Sequence, residues 1–322
     1  MMRWLLSAIL LLMALPGPVT AQDFPGRLVK IVVPYPPGGG VDGLARPLAE
    51  WLGRAWKQNV IIENKAGAAT MIGGTEVARS APDGLTLLLT SDSSITSNPH
   101  LFKTMQYDPI KELAPVTQLI DLNQFVLVHP SVVANTMQEL VALAKQKPNS
   151  LNYGSFGNGS QPHLLFEMLR KETSAQIQQI SYRGIAPAIT ATLANEVQTT
   201  LGSVAVAAGH IEVKKLKALA IGRQTRLSSH PEVPTLKEAG FATTEPRSWF
   251  GVFAPAGTPP QTVAAIQQAV ARVLNDPEFK SRFIERAGHS GVASTPAEFA
   301  AFIQEDLAAK RAMIAAAGIV PE

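Results

Sequence analysis

A short run of branched apolar residues, followed by prolines and three glycines, constrains the fold of this chain more than any other stretch. Residues 28–33 form the run and are typical of a parallel strand whose two faces are both covered. The glycines at 38–40 permit tight turns, and the residues after them carry apolar side chains at helical spacing. A helix that begins after a glycine loop presents unpaired N–H groups, so the stretch predicts an anion site.

The same order of strand, loop and helix recurs along the chain. Strands are predicted at 60–63 and 85–90 with a helix between them, which gives a βαβαβ pattern and indicates a mainly parallel sheet. A second set of strands is predicted at 151–153, 180–182 and 197–201. In such sheets ligands bind outside the carboxyl ends of the strands. The sequence therefore predicts an α/β fold with two similar domains and glycine loops at the strand ends.

The N-terminus is typical of an export signal. Arg3 precedes an apolar run at 4–15, and small residues at 19–21 form a cleavage site before Gln22. An uncleaved membrane anchor is the alternative, but the run is shorter than the roughly 20 residues that span a bilayer. We therefore predict a signal peptide at 1–21 and a free exported protein. Because the chain contains no cysteine, a disulfide framework and a thiolate metal site are excluded.

The composition excludes two further classes of protein. With 46% apolar and 16% charged residues, the 322-residue chain is too hydrophobic to be disordered and long enough for two domains. Its net charge of +3 is small, and its densest basic cluster, residues 214–217, has no neighbouring aromatic side chain. The cluster indicates a solvated surface, and we predict no nucleic-acid partner.

The motifs of hydrolases and metalloproteases do not occur in the sequence. No serine lies in a G-x-S-x-G elbow, and the six histidines form no H-E-x-x-H pair. His163 lies beside the second glycine loop, residues 154–160. It is either a general base without a visible partner or a packing residue. We predict no catalytic residue and no metal site.

A dinucleotide site is a further alternative. Gly38, Gly40 and Gly43 match the G-x-G-x-x-G spacing, and Glu63 follows twenty residues later. Residues 34–37 separate the strand from the first glycine, whereas the dinucleotide fingerprint places that glycine close to the strand. Export also removes the protein from the cytosolic cofactor pool. We therefore predict no cofactor.

Several polar residues of the loops have two interpretations each. Asp42 is either an N-terminal helix cap or a ligand contact. Ser155, Asn158 and Ser160 either cap a helix or bind a ligand in the second glycine loop. Arg183, a cation at a predicted strand end, either lies on the surface or pairs with a carboxylate.

Ordered sequence stretches make nearly all of the mature chain similar to a known family. They are VPYPPGGGVDGLAR (33–46), ENKAGAATMIGG (63–74), PDGLTLLLTSDSS (82–94), NPHLF (98–102), YDPIKEL (107–113), LNYGSFGNGSQPHLL (151–165), YRGIAPAI (182–189), VPTLKEAG (233–240) and WFGVFAPAGTP (249–259). In this order they closely resemble the exported solute receptors of tripartite tricarboxylate transporters, also called TctC-like or Bug proteins.

The resemblance implies a two-domain periplasmic-binding-protein clamshell, or Venus flytrap, that closes on a small organic carboxylate. Each domain would be a mainly parallel sheet flanked by helices, with residues 22–121 plus 249–322 in domain 1 and residues 122–248 in domain 2. The implied partners are the carboxylate and the membrane subunits of a transporter. The protein would be a monomer in the periplasm and not an enzyme. An exported enzyme and a sensory receptor that use the same cleft are the alternatives.

The resemblance also implies which residues hold the ligand, through N–H groups, hydroxyls and ordered waters. Domain 1 supplies Tyr35, Pro37, Gly38, Gly39, Asp42 and Ser93, and domain 2 supplies Ser155, Asn158, Gly159, Ser160, Arg183 and Ser203. Three residues depart from the family pattern. Ala66 and Ala69 replace a proline and a glycine in the loop after the second strand. Gln198 stands in place of an aspartate, where it either alters the floor of the cleft or has no effect.

Overall fold

The structure is a computed structural model that describes residues 24–182, 184–223, 225–227, 229–242 and 247–321. The predicted signal peptide and Arg183 lie outside these ranges. Among the residues that the structure describes, no helix is both long enough and apolar enough to cross a membrane.

The described residues form eleven strands in two sheets. In chain order the strands are β1 Val29–Val33, β2 Val60–Asn64, β3 Thr86–Ser91, β4 Leu113–Leu122, β5 Gln124–Val128, β6 Asn152–Ser155, β7 Gln178–Ser181, β8 Thr199–Ser203, β9 Lys217–Ile221, β10 Trp249–Pro255 and β11 His289–Gly291. The strands predicted at 60–63, 85–90, 151–153, 180–182 and 197–201 are all present, with ends displaced by no more than two residues.

Helices follow most of the strands. Within the same ranges they are α1 Gly40–Trp56, α2 Met71–Ala78, α3 Asn98–Leu101, α4 Met137–Gln146, α5 Gln161–Thr173, α6 Ile185–Leu193, α7 Val204–Glu212, α8 Pro260–Asn275, α9 Pro277–Phe279 and α10 Pro296–Ala317. A short 3₁₀ turn, Ala68–Thr70, precedes α2, and π-type turns occupy Ser93–Ser97 and Lys280–Glu285.

The first sheet has the strand order β11-β4-β10-β3-β1-β2. β1 pairs parallel with β2 and β3, whereas β10 pairs antiparallel with β3 and β4. β11 pairs antiparallel with β4. The strands β1 to β4 therefore run in one direction, and β10 and β11 run against them.

The second sheet has the strand order β7-β6-β8-β5-β9. β6 pairs parallel with β7 and β8, and β5 pairs antiparallel with β8 and β9. All strands of this sheet except β5 therefore run in one direction. The predicted α/β fold, with two mainly parallel sheets flanked by helices, is confirmed.

The chain passes between the sheets at two places. Asn123 links β4 directly to β5, and residues 222–248 link β9 back to β10. In each sheet the strand that follows the crossover is inserted antiparallel, β5 between β8 and β9 and β10 between β3 and β4. The division into domains 22–121 plus 249–322 and 122–248 stays a prediction, because shared sheets do not show which residues move together.

The C-terminal helices complete the core around the first sheet. The apolar stripe predicted for α1 is buried at Leu44, Leu48 and Leu52, in a cluster that also includes residues of β1 and α8. On the other face, Phe299 and Ile303 of α10 join residues of β1, β3 and β10 in a second cluster. Burial of each such side chain contributes about 1.5–3 kcal/mol, so these helices fix the sheet that carries the first glycine loop.

α10 begins at a capping box. The side chain of Thr295 accepts a bond from Glu298 N at 3.3 Å, and Glu298 Oε2 accepts one from Thr295 N at 2.8 Å. The helix ends before Gly318, which has a φ of +70°. Both ends are therefore fixed by local sequence, as glycine and capping-box signals predict.

Candidate functional site

The glycine loops lie at matching edges of the two sheets. Because β1, β2 and β3 are parallel, their carboxyl ends, including Asn64 and Ser91, share one edge of the first sheet. Because β6, β7 and β8 are parallel, their ends at Ser155, Ser181 and Ser203 share one edge of the second. The helices α1, α5, α6 and α7 each begin close after one of these strand ends. Several helix N-termini therefore lie at the sheet edges where ligands bind in such folds.

The loop between β1 and α1 ends in a helix N-terminus without a side-chain cap. Gly39 is the N-cap residue, and no side chain accepts a bond from the first turn. Gly38 has a φ of +81°, a value that glycine adopts far more easily than other residues. Pro37, Gly38 and Gly39 are exposed. N–H groups of the first helical turn are therefore available to an acceptor from outside the chain.

The carboxylate of Asp42 is occupied by the protein itself and is only 2% exposed. Arg46 donates from Nε to Oδ2 at 2.8 Å and from Nη2 to Oδ1 at 2.9 Å. Asn64 Nδ2 donates to Oδ1 at 2.9 Å, and Gly38 N donates to Oδ2 at 2.8 Å. Burial alone would raise the pKa of Asp42, but these donors together lower it. The Asp42 side chain therefore anchors the glycine loop, and its contact with a ligand stays a prediction.

Five hydroxyl groups cluster at the carboxyl end of β3. Tyr35 Oη lies 2.8 Å from Ser91 Oγ and 3.3 Å from both Ser93 Oγ and Ser94 Oγ. Ser91 Oγ lies 2.6 Å from Ser93 Oγ, and Thr90 Oγ1 lies 2.5 Å from Ser94 Oγ. Tyr35 and Ser93 are the two half-buried members. Because hydroxyl protons rotate, the cluster can direct O–H donors toward an anion.

The loop after β2 has a strained backbone. Gly67 has a φ of +127°, and Ala68, Ala69 and Thr70 follow with φ values of +45°, +49° and +79°. Each residue with a Cβ atom costs roughly 1–2 kcal/mol in a left-handed conformation. Asn98 supports the turn by donating from Nδ2 to Ala69 O at 2.7 Å. Ala69 thus adopts the conformation that the glycine of the family pattern would adopt more easily.

Residues 155–160 hold their loop through internal hydrogen bonds. Ser155 is fully buried, and its Oγ accepts from Gln179 Nε2 at 2.8 Å and from Gly157 N at 3.3 Å. Ser160 occupies the N-cap position of α5, yet its hydroxyl donates to Gly157 O at 2.6 Å. Asn158 is exposed, and its side chain has no hydrogen-bond partner in the described part of the chain. No side chain caps α5, so its N-terminus stays open.

His163 holds the backbone of Gly159. Gly159 N donates to His163 Nδ1 at 2.9 Å, and Gly159 has a φ of +72°. Leu101 packs so closely that a Cβ atom at Gly159 would overlap it. Burial lowers the pKa of His163, and Glu167 opposes this with a smaller effect. Because the pKa is lowered, the ring is neutral at pH 7 and Nδ1 can accept a hydrogen bond. Of the two interpretations of His163, the packing residue fits and the general base does not.

Two further helix N-termini lie at the edge of the second sheet. Gly184 is the N-cap residue of α6 and Ser203 that of α7, and neither helix has a side-chain cap. Ser203 is 8% exposed, and its hydroxyl has no hydrogen-bond partner among the residues described. Arg183 lies outside the described residues, so its contact with a ligand stays a prediction.

The two edges meet through a hydrogen bond between the sheets. Gln161, the first residue of α5, donates from Nε2 to Asp92 Oδ2 at 3.1 Å and to Oδ1 at 3.3 Å. Asp92 lies between Ser91 and Ser93 of the hydroxyl cluster, and Gln161 directly follows Ser160. The hydroxyl cluster and the loop at 155–160 are therefore neighbours across the gap between the sheets.

Asp92 and Gln161 are absent from the residues predicted to form the site. Asp92 is fully buried and forms an ion pair with Lys310 of α10 at 2.8 Å. Burial raises the pKa of Asp92, and the ammonium group of Lys310 opposes that rise. One signal was present in the sequence. Asp306 and Lys310 continue the buried face of α10 from Ile303 at three- and four-residue steps, a spacing that places their charges inside.

Gln198 lies away from this edge. It precedes β8, and its backbone N–H and side-chain Oε1 bond the O and N of Asn152 at 2.9 and 3.0 Å. Asn152 is the first residue of β6, whereas Ser203 at the other end of β8 belongs to the candidate site. The substitution at Gln198 therefore does not alter the floor of the cleft.

Glu63, the acid of the dinucleotide alternative, already has partners. Lys30 Nζ lies 3.2 Å from Glu63 Oε2, and Lys65 Nζ lies 2.8 Å from Oε1. Both oxygens thus pair with lysines, which leaves this carboxylate poorly placed to bind a ribose hydroxyl.

Comparison with known proteins agrees with the architecture. The sequence profile described as the tripartite tricarboxylate transporter family receptor matches residues 44–319. Protein BugT of Bordetella pertussis is 32% identical over 310 residues, which cover 95% of this chain and 95% of BugT. The similarity therefore extends over both sheets and every loop of the candidate site.

Two solved structures from Rhodopseudomonas palustris have the same fold. Rpa4515 with adipate is 28% identical, has a TM-score of 0.83, and is matched over 93% of this chain and 100% of its own. MatC with bound malate is 27% identical, has a TM-score of 0.78, and is matched over 90% of this chain and 100% of its own. The profile match and the full-length similarity to BugT show that this chain belongs to the tripartite tricarboxylate transporter receptor family, as a TctC-like Bug solute-binding protein.

Proposed function

We propose that this protein is a periplasmic receptor that captures a small organic carboxylate between its two sheets and delivers it to a tripartite tricarboxylate-type transporter. The ligand would lie between the glycine loop before α1, the hydroxyl cluster and the N-termini of α5, α6 and α7. The residues proposed to contact it are Tyr35, Pro37, Gly38, Gly39, Asp42, Ser93, Ser155, Asn158, Gly159, Ser160, Arg183 and Ser203.

The juxtaposition of helix N-termini without side-chain caps carries this proposal. α1, α5, α6 and α7 have no side-chain caps, and their N-termini face edges that also carry hydroxyl groups. A carboxylate accepts hydrogen bonds from such donors, and a helix N-terminus favours an anion by roughly 0.3–1 kcal/mol. The two carboxylates nearest the donors, Asp42 and Asp92, are neutralised by Arg46 and Lys310. A bound anion would therefore meet donors without facing an unpaired negative charge from these two residues.

The relatives support a carboxylate as the ligand. Rpa4515 is described with adipate and MatC with malate, both of which are dicarboxylates. Backbone N–H groups and hydroxyls recognise the carboxylate group that these molecules share. Recognition of the rest of the ligand depends on other contacts.

The internal bonding of the titratable groups supports capture without catalysis. A general acid or base must reach the reacting group with a free proton or lone pair. Asp42 and Asp92 are held in ion pairs, and His163 Nδ1 accepts from Gly159 N at 2.9 Å. These three groups serve the loops of the candidate site and would not act on a ligand.

The proposal includes closure of two domains around the ligand. Residues 22–121 plus 249–322 would form one rigid unit and residues 122–248 the other. Such a motion would bend the backbone where the two units join, between residues 121 and 122 and between residues 248 and 249.

Thermal melting of the chain from Gln22 onward tests the proposal. Adipate, malate, other mono-, di- and tricarboxylates, amino acids, nicotinate and NAD are added separately at millimolar concentration. At one hundred times its Kd, a ligand stabilises by about 2.7 kcal/mol and raises the Tm by about 4–5 °C for a chain of this size. Stabilisation by one carboxylate class, confirmed by calorimetric titration, supports a receptor for that class. Stabilisation by NAD and by no carboxylate contradicts it.

A charge variant locates the site. Asn158→Glu adds a carboxylate to an exposed loop residue, so the variant should melt like the wild type but lose most of its affinity for the stabilising carboxylate. Gln261→Glu adds the same charge to an exposed residue of α8 and serves as the control. Equal affinity in the two variants would show that the ligand binds elsewhere.

A further inference from the structure

The carboxylate of Asp92 lies at the centre of a buried polar contact between the two sheets. Its backbone belongs to the turn after β3, between two serines whose hydroxyls lie within 3.3 Å of Tyr35 Oη. Its side chain is fully buried and accepts from Lys310 Nζ at 2.8 Å. Lys310 also donates to Arg247 O at 2.6 Å, which ties α10 to the segment that leads into β10.

The same carboxylate holds the first residue of α5. Gln161 Nε2 lies 3.1 and 3.3 Å from the two oxygens of Asp92 and 3.3 Å from Ser248 Oγ. Ser248 Oγ in turn donates to Asp92 Oδ1 at 3.3 Å. Asp92 thereby joins the hydroxyl cluster, the N-terminus of α5 and the second crossover segment of the chain.

Apolar contacts reinforce this joint. Leu164 of α5 packs with Ile314 and Ala317 of α10 in a small cluster that also includes Leu101. Leu101 covers Gly159 so closely that the glycine cannot be replaced without displacement of the leucine side chain. The first turn of α5 therefore contacts the first-sheet half of the molecule through a polar side chain, Gln161, and an apolar one, Leu164.

A buried ion pair is suited to fixing geometry more than to adding stability. The desolvation of two charges offsets most of their attraction, but loss of one partner leaves an uncompensated charge inside the protein. We therefore expect Asp92 and Lys310 to hold their hydrogen-bond partners in a fixed geometry. Gln161 is one of these partners, through its side-chain amide.

We propose that Asp92 and Gln161 are positioning residues for ligand capture. Through their hydrogen bond they set the separation and angle between the hydroxyl cluster and the loop at 155–160, and neither side chain contacts the ligand. The consequence for affinity rests on the proposed function, whereas the consequence for the geometry of the ligand-free protein does not.

The test is Gln161→Met, which removes the amide but keeps a side chain of similar length. Gln267→Met is the matched control, because Gln267 Nε2 bonds Ser294 O at 3.0 Å in the first-sheet half of the molecule. The chain has no cysteine, so nitroxide labels can be placed specifically at Ile61→Cys in β2 and Gln178→Cys in β7, both exposed. Pulsed electron paramagnetic resonance then gives the distribution of distances between the sheets without ligand.

We expect the distance distribution of Gln161→Met to be about twice as wide as in the wild type, and that of Gln267→Met to be unchanged. The Kd for adipate or malate, whichever binds the wild type more tightly, should rise about fivefold, the effect of one hydrogen bond of about 1 kcal/mol. Gln161→Glu places a second carboxylate against Asp92 and should widen the distribution further.

An unchanged distribution in both Gln161 variants would overturn the positioning role. A wider distribution in a protein that binds neither adipate nor malate would still support that role, while it would count against the proposed function. The two hypotheses can therefore fail separately.

Discussion

At the scale of single residues, several side chains of the candidate site hold backbone N–H groups of the loops in place. Asp42 accepts from Gly38 N while Arg46 neutralises its charge, so the glycine loop is held without adding net charge. His163 does the same for Gly159 through an uncharged bond at 2.9 Å. Both residues have side chains of the kind that sequence patterns associate with direct chemistry, yet the structure uses them as anchors.

The left-handed conformation of Ala69 leads to a stability prediction. Ala69 has φ of +49° and ψ of +44°, so Ala69→Gly should raise the free energy of unfolding by about 1 kcal/mol, since glycine adopts this conformation without a Cβ clash. Urea denaturation measures the change. Ala55→Gly, at an exposed position of α1, is the matched control and should lower the free energy of unfolding by about 1 kcal/mol. A loss of stability in Ala69→Gly would contradict the strain assigned to this loop.

At the scale of secondary-structure elements, the helices that begin at the candidate site lack side-chain caps at their N-termini. Caps are worth about 1 kcal/mol, and this chain uses them at α4 and α10, where Thr136 and Thr295 accept from the first turn. At α1, α5, α6 and α7 the N-cap positions hold glycine or a serine whose hydroxyl does not bond the helix. The helices that begin at the gap between the sheets thus lack the side-chain caps that α4, α9 and α10 have, and α2, α3 and α8 lack such caps too.

The bond between His163 and the loop before α5 leads to a pH prediction. Because the pKa of His163 is lowered below its usual value of 6.5, its contribution to stability is complete above pH 6.5 and is lost as the pH falls through that value. His163→Asn keeps an acceptor for Gly159 N without a titrating ring. The variant should therefore lose less stability than the wild type, by roughly 1 kcal/mol, when urea denaturation is repeated at pH 7 and pH 5.

Two other histidines limit the size of this effect. Burial lowers the pKa of His289 to about 4 and also lowers that of His100, so both oppose folding at acidic pH and leave the variant with a residual pH dependence. An identical loss of stability in wild type and His163→Asn would show that the Gly159 bond does not respond to pH.

At the scale of the whole molecule, two crossovers of the chain and one buried polar joint connect the sheets. Asn123 and residues 222–248 carry the backbone across, and Asp92 with Gln161 connects the two edges of the candidate site. In the proposed closure the two sheets would change their relative angle while the chain stays continuous.

Closure on a ligand leads to a prediction for the molecular dimensions. The carboxylate that raises the Tm most should reduce the radius of gyration in small-angle X-ray scattering, toward the value of about 19 Å expected for a compact chain of this length. The Asn158→Glu variant should show no such reduction at the same concentration. An unchanged radius in wild type with saturating ligand would contradict domain closure, and a value well above the compact limit would contradict a monomer.

Much of the fold followed from local sequence. Branched apolar runs such as residues 28–33 predict strands wherever both faces of a sheet are covered, and glycine or proline signals predict where the helices begin. β4 escaped prediction for a physical reason. β4 contains Pro115, Gln118 and Asp121, and its pairing with β10 shifts register twice, so its strand conformation depends on its neighbours in the first sheet.

The sequence by itself determined the α/β class, the position of the glycine loops at strand ends and the helix N-termini that follow them, because these depend on contacts between residues close in the chain. Only the tertiary structure decided that Asp42 is an internal anchor, that Gln198 lies at the far end of β8, and that Asp92 joins the sheets through Gln161 and Lys310. Asp92 and Lys310 are 218 positions apart, and no local pattern reports a contact that exists only after both sheets have folded.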